Sequence, residues 1–375
     1  MTNTRVLSRR ELNRATLDRQ FLLRRTDADA AEVVEHLVGL QTQIPGNHFT
    51  ALWSRIADFS AEDFSRRFEN REFVRISLQR STIHTVTARD CVALRPLLQS
   101  VQDRSLKGAF GKRLEGVDLA ALATRARDLL DEGPKTFGEL GTALLADWPD
   151  REPQALGNAA RNGLALVQVP PRGLWQQGGQ ARHTTAEHWL GGEPADPLSP
   201  DDLILRYLAA FGPASVQDAQ TWSGLTRLRE CFDRLREQLA VFQDENGVEL
   251  FDLPDAPRPG EDVAAPARFF PDYDNVFIGH KDRARVYHPE VDFKRDIWLG
   301  NGLQPQFSVD GMMSGVWRLE TDKKRTRATL AITPLTALPK TQRAEIETEA
   351  GKLLAFLAPE ATADVQWTPR EDKAL

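Results

Sequence analysis

The sequence predicts an α+β protein made of three tandem winged-helix units followed by a strand-rich C-terminal region, either a small sheet or a barrel. Three observations carry this reading. A run of helices followed by a hairpin recurs before residue 264, alternating strand-like segments dominate after it, and the Pro-rich stretch Asp252 to Pro266 separates the two.

The first unit, 1–115, carries helical spacing over Arg9 to Arg24, Ala28 to Leu40, His48 to Ile56 and Ala61 to Phe68, then strand-like Phe73 to Leu78 and Thr82 to Thr87. The second, 116–195, has a helix from Thr136 through Trp148 and another from about Glu152 to Leu164. Strands at Leu166 to Val169 and Leu174 to Trp175 follow, joined by Pro170-Pro171-Arg172-Gly173. The third, 196–263, is the clearest. Its first helix runs from Asp201 to Phe211 and ends at Gly212-Pro213, Ser215 caps a second to Trp222, and Gly224 breaks the chain before Thr226 caps a third through Leu239. Two strands around Asn246-Gly247 complete the pattern.

From 264 to 375 the strand candidates are Ala267 to Phe270, Asn275 to Ile278, Gln306 to Val309 and Gly315 to Leu319, with a turn at Asp310-Gly311. A late amphipathic helix spans about Lys340 to Leu357, and a last strand lies at Asp364 to Trp367.

Composition bounds the function. No apolar run approaches the roughly 20 residues that span a bilayer, and the polar, basic start lacks the apolar core of a signal peptide, so a cytosolic protein is expected with no membrane partner. Cys91 and Cys231 stand apart from other metal-ligand residues and are expected to be core residues; the reading calls for no metal and no cofactor. The net charge is −6, yet eleven Lys and Arg face four acids between Arg66 and Arg113 (+7), and seven Arg face two acids up to Arg25 (+5). These stretches are candidates to meet phosphate.

Tandem winged helices present recognition helices to the major groove and basic wings to phosphates, so duplex DNA is the expected partner. The third helix of the last unit tempers this, because its Arg227, Arg229, Arg234 and Arg236 alternate with Glu230, Asp233 and Glu237. A transcriptional regulator using the same cradle, and a scaffold for a protein partner, are the competing readings. A metal nuclease is disfavoured because no compact cluster of His and acids is visible.

Five motifs in order resemble one family. They are Gly39-Leu40-Gln41-Thr42-Gln43, Arg80-Ser81-Thr82-Ile83-His84, Pro171-Arg172-Gly173-Leu174-Trp175, Arg206-Tyr207 through Phe211-Gly212-Pro213, and Phe269-Phe270-Pro271-Asp272-Tyr273-Asp274-Asn275. Together they resemble the bacterial tandem winged-helix DNA glycosylases of the AlkZ and YcaQ type over nearly the whole chain. The resemblance implies a monomeric repair enzyme that hydrolyses the N-glycosidic bond of N7-alkylated purines and, in some members, unhooks interstrand crosslinks. Some members confer self-resistance on producers of DNA-alkylating toxins. It also implies catalytic roles for Gln41 and Gln43, since the AlkZ branch carries Gln-x-Gln where the YcaQ branch carries Gln-x-Asp. The middle position is usually apolar in that branch, and Thr42 departs from it.

Two amides make sense chemically on such a substrate. A glutamine is a poor acid and a poor base, but an N7-alkylguanine is cationic and departs as a neutral base. The pair need only position a water, accepting its hydrogens and donating to its oxygen. Both glutamines are expected at the C-terminal end of a helix, just before Pro45-Gly46. Period-two spacing puts Arg80, Thr82 and His84 on one strand face, as DNA contacts or site support. Arg172 on the second hairpin, and Lys323, Lys324 and Arg325 near the tip of a hairpin from Trp317 to Leu330, are the further DNA-binding candidates. Asp272 and Asp274 read as turn residues.

Overall fold

The computed structural model describes residues 4–191, 197–299 and 302–370, so the expected boundary between residues 195 and 196 lies outside the described residues. Ser8 and Glu11 form a capping box that starts the helix Arg9–Arg19. It ends five residues earlier than the sequence suggests, where Phe21 adopts φ +58°. Asp29 caps the helix Ala30–His36. This helix also stops short of Leu40, because Val38 and Gly39 turn left-handed and the chain leaves as the strand Leu40–Gln41.

That strand is one edge of a six-stranded antiparallel sheet. Its order is Leu40–Gln41, Ile83–Thr87, Phe73–Ser77, Leu166–Gln168, Arg182–Thr185 and Lys135–Thr136. The hairpins of the first two segments thus share one sheet. The partner of Leu166–Gln168 is Arg182–Thr185, not Leu174 to Trp175. Positive φ at Gly173 and Gln176 interrupts extended geometry on both sides of that dipeptide. Leu174 enters the core instead, and the Trp175 ring packs on Phe49 at 4.8 Å.

Helices Ala88–Leu97 and Gln99–Phe110 fill much of the second half of the basic stretch, and Leu119–Asp131 follows it; all three are absent from the sequence reading. With Phe137–Leu144 and Pro153–Gly163 the last of these builds a separate core around Leu122, Leu130, Leu140 and Leu156.

The order of helices and hairpin expected for the third segment is present. Pro200–Phe211 is capped by Ser199, Val216–Ser223 by a Ser215/Asp218 box, and Arg229–Leu235 precedes the hairpin Ala240–Asp244 and Glu249–Asp252. The third helix starts at Arg229, without a cap from Thr226, because Arg227 is left-handed at φ +63°. Val6–Leu7 adds to this hairpin as a parallel strand. One core joins Val33, Phe64 and Ile76 to Tyr207, Phe211 and Trp222, so the first and third segments are packed together.

The C-terminal region is an open sheet rather than a barrel. Its order is Arg268–Phe270, Gln306–Val309, Met312–Thr321, Arg327–Pro334 and Thr362–Trp367, with Lys340–Leu357 packed on one face. Asn275–Ile278 is a short helix and not a strand, because the Asp274 carboxylate accepts from Val276 N and caps it.

Two of the N-terminal arginines, Arg14 and Arg19, are buried as staples inside the protein. Arg14 pairs with Asp310, while Arg19 holds Asp252 at 2.6 and 2.8 Å and the carbonyl of Pro257, strapping the Pro-rich linker to the first helix. Cys91 and Cys231 are buried and free. Among the described residues no helix is long and apolar enough to cross a membrane.

Candidate active site

The edge strand explains how Gln41 and Gln43 come to one surface. Side chains alternate along an extended chain, so both glutamines point to one side and Thr42 to the other. Docking this edge depends on Gly39, whose φ is +91°; a Cβ there would lie 2.7 Å from Val86 Cγ1. The glutamines are therefore at a sheet edge, not at the helix end inferred from sequence. A helix would have turned them about 200° apart around its axis.

Gln41 lies directly across from His84 in the ladder, which places their side chains on the same face. Its amide oxygen accepts from Arg80 Nη2, and its main-chain N–H points to Asn275 Oδ1 at 3.5 Å. The Gln43 amide oxygen accepts from Ile83 N at 3.2 Å, continuing the ladder with a side chain where the main chain departs. Gln41 is buried and Gln43 exposed. Because guanidinium and peptide N–H groups only donate, both amides must present oxygen inward and NH2 outward.

Arg80 is not on the strand. It sits in the turn Gln79–Ser81 with φ +54°, and its second donation goes to the carbonyl of Trp222 at the C-terminal end of Val216–Ser223. The negative end of that helix offsets part of the guanidinium charge. Gly224 lets the helix approach, since a Cβ there would stand 3.2 Å from Arg80 N. Among the described residues no carboxylate reaches Arg80, and burial, with Arg283 nearby, lowers it to about 10. Thr82 turns its hydroxyl to the Gln79 carbonyl at 3.0 Å, and its own carbonyl takes His84 Nδ1–H at 2.9 Å. Burial, then Arg80, pushes His84 down to about 3, so its ring is neutral.

The opposite side of the edge strand is a buried polar network. Thr42 and Thr85 hydroxyls meet at 2.9 Å, Thr85 meets His48 Nδ1 at 3.0 Å, and His48 Nε2 donates to Gly173 O at 2.9 Å. A hydroxyl at position 42 is thus partnered. Arg75, buried without a carboxylate, donates to Thr42 O at 2.6 Å and to Gln168 Oε1 at 2.7 Å. Desolvation, then Arg172, lowers it to about 9.

The remaining candidates make no hydrogen bond to the glutamines among the described residues, although Arg172 stands near Arg75. The Arg172 guanidinium donates to Gly179 O at 2.8 Å. Lys323, Lys324 and Arg325 are exposed at the end of the hairpin Met312–Thr321 and Arg327–Pro334. Arg325 borders a cavity of about 550 Å³ with Glu62, Trp175 and Gln176.

Sequence reasoning missed two groups. Asn275, read from sequence only as the start of a strand, donates its amide to Gly39 O at 2.8 Å and anchors the strand that carries Gln41. Its place in the fifth motif was the available signal. Arg283, beyond the last motif, adds its charge beside Arg80 and had no signal. Of the neighbouring carboxylates, Asp274 is locked in a bidentate pair with Arg55 at 2.7 and 2.8 Å. Asp272 is pushed up to about 6 by burial, and its main-chain oxygen accepts from Asn47 at 2.8 Å.

This architecture is that of a known DNA repair fold. The structure superposes on the Streptomyces sahachiroi DNA glycosylase AlkZ with a TM-score of 0.78, covering 97% of this chain and 100% of that one at 21% identity. The interstrand DNA cross-link repair glycosylase of Streptomyces sahachiroi is 24% identical over 354 residues, 88% of this chain and 91% of the relative. The family model for DNA glycosylase AlkZ-like proteins matches residues 34–356, and the chain belongs to that family. It is a DNA glycosylase, a hydrolase acting on N-glycosyl bonds of DNA.

Proposed function

We propose that the enzyme releases N7-alkylated, cationic purines from duplex DNA, with Gln41 and Gln43 as its catalytic pair, and that N7-linked interstrand crosslinks are among its substrates. The observation that carries this is the chemistry of the pair: both amide oxygens are engaged by donors, both amides face outward as N–H groups, and among the described residues no acid hydrogen-bonds to either. Such a site has no proton to give a leaving base, so it suits a base that already carries its positive charge and departs neutral. The name of the Streptomyces sahachiroi relative supports crosslinks. Arg80, Thr82 and His84 serve as support around the pair, since their polar groups are turned toward it or toward the main chain. Arg172 and the Lys323-Lys324-Arg325 tip serve as DNA contacts, and the enzyme acts as a monomer in the cytoplasm.

The test is base release from a duplex with a single N7-methylguanine and from one with an N7-linked crosslink, comparing the native enzyme with Gln41→Ala and Gln43→Ala. Release that falls at least about 100-fold in either variant, with DNA binding kept, supports the reading. Folded, DNA-bound enzyme that releases base from neither duplex overturns it.

A further inference from the structure

Water poised to attack C1′ must give a hydrogen to some acceptor, and each glutamine oxygen is already held by a protein donor. Gln41 Oε1 is turned to Arg80 and Gln43 Oε1 to Ile83 N–H, so the outward-facing groups of the pair are NH2 groups, which hold an oxygen but cannot receive a hydrogen. Resting on the glutamine site proposed above, we infer that His84 Nε2 is the missing acceptor: it takes a hydrogen of the attacking water while the glutamine amides hold that water's oxygen, which makes His84 a catalytic residue rather than a DNA contact.

Three features support this. Gln41 and His84 are direct partners on adjacent strands, so their side chains leave the same rung on the same face, at Cβ separations of roughly 5 Å. The Thr82 carbonyl, which can only accept, fixes the proton on Nδ1 and so leaves the lone pair on Nε2. Finally, no hydrogen bond among the described residues reaches Nε2, although His84 is only 3% exposed. Desolvation and the Arg80 charge hold the ring neutral, with a value of about 3, so the lone pair is present throughout the physiological range. The same environment makes the ring a poor resting place for a proton. His84 therefore orients the water and does not stay protonated. The water oxygen bonds to C1′ as the C1′–N9 bond breaks, and that electron pair goes to the purine and cancels the N7-alkyl charge. The extra proton of the new hydroxyl passes to Nε2, and the briefly charged ring hands it on to solvent water.

The experiment is single-turnover release of N7-methylguanine from a duplex by native enzyme, His84→Phe, His84→Gln and His84→Ala, the last with and without free imidazole. DNA affinity and thermal unfolding are measured alongside. Phe is expected to slow release about 100-fold with affinity held within about threefold; Gln, which carries an acceptor oxygen, and imidazole added to the Ala variant are expected to recover about tenfold or more of the loss. Release by Phe and Ala at near-native rates overturns the assignment. So does a loss that neither Gln nor imidazole restores, which is the mark of a structural ring, or a loss matched by weaker binding, which is the mark of a DNA contact. If Phe does not fold, the Gln and Ala arms still decide. Native enzyme that binds the duplex and releases nothing removes the N7-purine reading itself, and this inference with it.

Discussion

The Arg80 guanidinium and the Gln41 amide are joined by a hydrogen bond that crosses from a left-handed turn to a sheet edge. Arg80 is also tied to the carbonyl of Trp222, so one side chain connects the first segment's sheet, the third segment's second helix and the glutamine motif. Its charge is met by neutral oxygens alone. A desolvated cation without a counterion costs stability, and its retention here is understandable if it orients Gln41.

Arg80→Met is therefore expected to separate function from folding. The φ of +54° is no worse for Met than for Arg, and a poorly compensated cation is removed. Thermal stability should stay the same or rise, while single-turnover base release falls about 10- to 100-fold as Gln41 loses its fixed orientation. Calorimetry with release kinetics checks this; equal losses in both would show that Arg80 is simply structural.

The Arg55–Asp274 pair lies fully buried beneath the same site. Asp274→Ala would leave Arg55 charged without its partner and uncap Val276, at a cost of about 3–5 kcal/mol. Urea denaturation should report that loss, and activity should drop further because Asn275 no longer holds the Gly39 carbonyl.

Much of this fold was legible because its signals are local. The late helix Lys340–Leu357 shows its period in the sequence itself, and the helix Pro153–Gly163 its period and the proline that starts it. The site was legible only in part, because its geometry is set by non-local contacts. Leu40 and Gln41 read as helix, and only docking against Ile83–Thr87, permitted by Gly39, makes them a strand. Leu174-Trp175 alternates well enough for a strand, yet the aromatic pocket around Phe49 takes the tryptophan ring. The basic N-terminus looked like a phosphate surface because the acids that absorb it, Asp252 and Asp310, lie more than 200 residues away.

Thr42 tests how much the middle of the motif matters. Since His48 Nε2–H donates to Gly173 O, Nδ1 accepts from Thr85, and Thr42 is the terminal donor of the chain. Thr42→Val keeps the shape and leaves no donor stranded. Stability should change by about 1 kcal/mol or less, and base release should remain within about threefold of native. A larger loss of release would show that the network beneath the strand tunes the glutamines.

The basic hairpin tip is best tested through salt. If Lys323, Lys324 and Arg325 each neutralise a phosphate, their joint replacement by Gln should reduce the slope of log affinity against log salt by about 2.7, with thermal stability unchanged because all three are exposed. An unchanged slope would place the hairpin off the DNA.

Acid should unfold this protein early, and the direction follows from its buried histidines. His48, His84 and His183 are all pushed down to about 3, chiefly by desolvation, from an ordinary value near 6.5. The folded state binds protons less readily than the unfolded chain, so their stabilising effect is complete above pH 6.5 and is lost as pH falls toward 3. Well inside that window each contributes a slope of about 1.4 kcal/mol per pH unit. His183 stacks on Phe137 with centroids 4.0 Å apart and 12° between planes, a setting a phenyl ring can occupy. His183→Phe should therefore make the decline of unfolding free energy between pH 6 and 4 shallower by about that amount per unit, while leaving base release at pH 7.5 near native. An unchanged slope would mean that His183 titrates alike in both states, and the acid sensitivity would then rest on the other histidines.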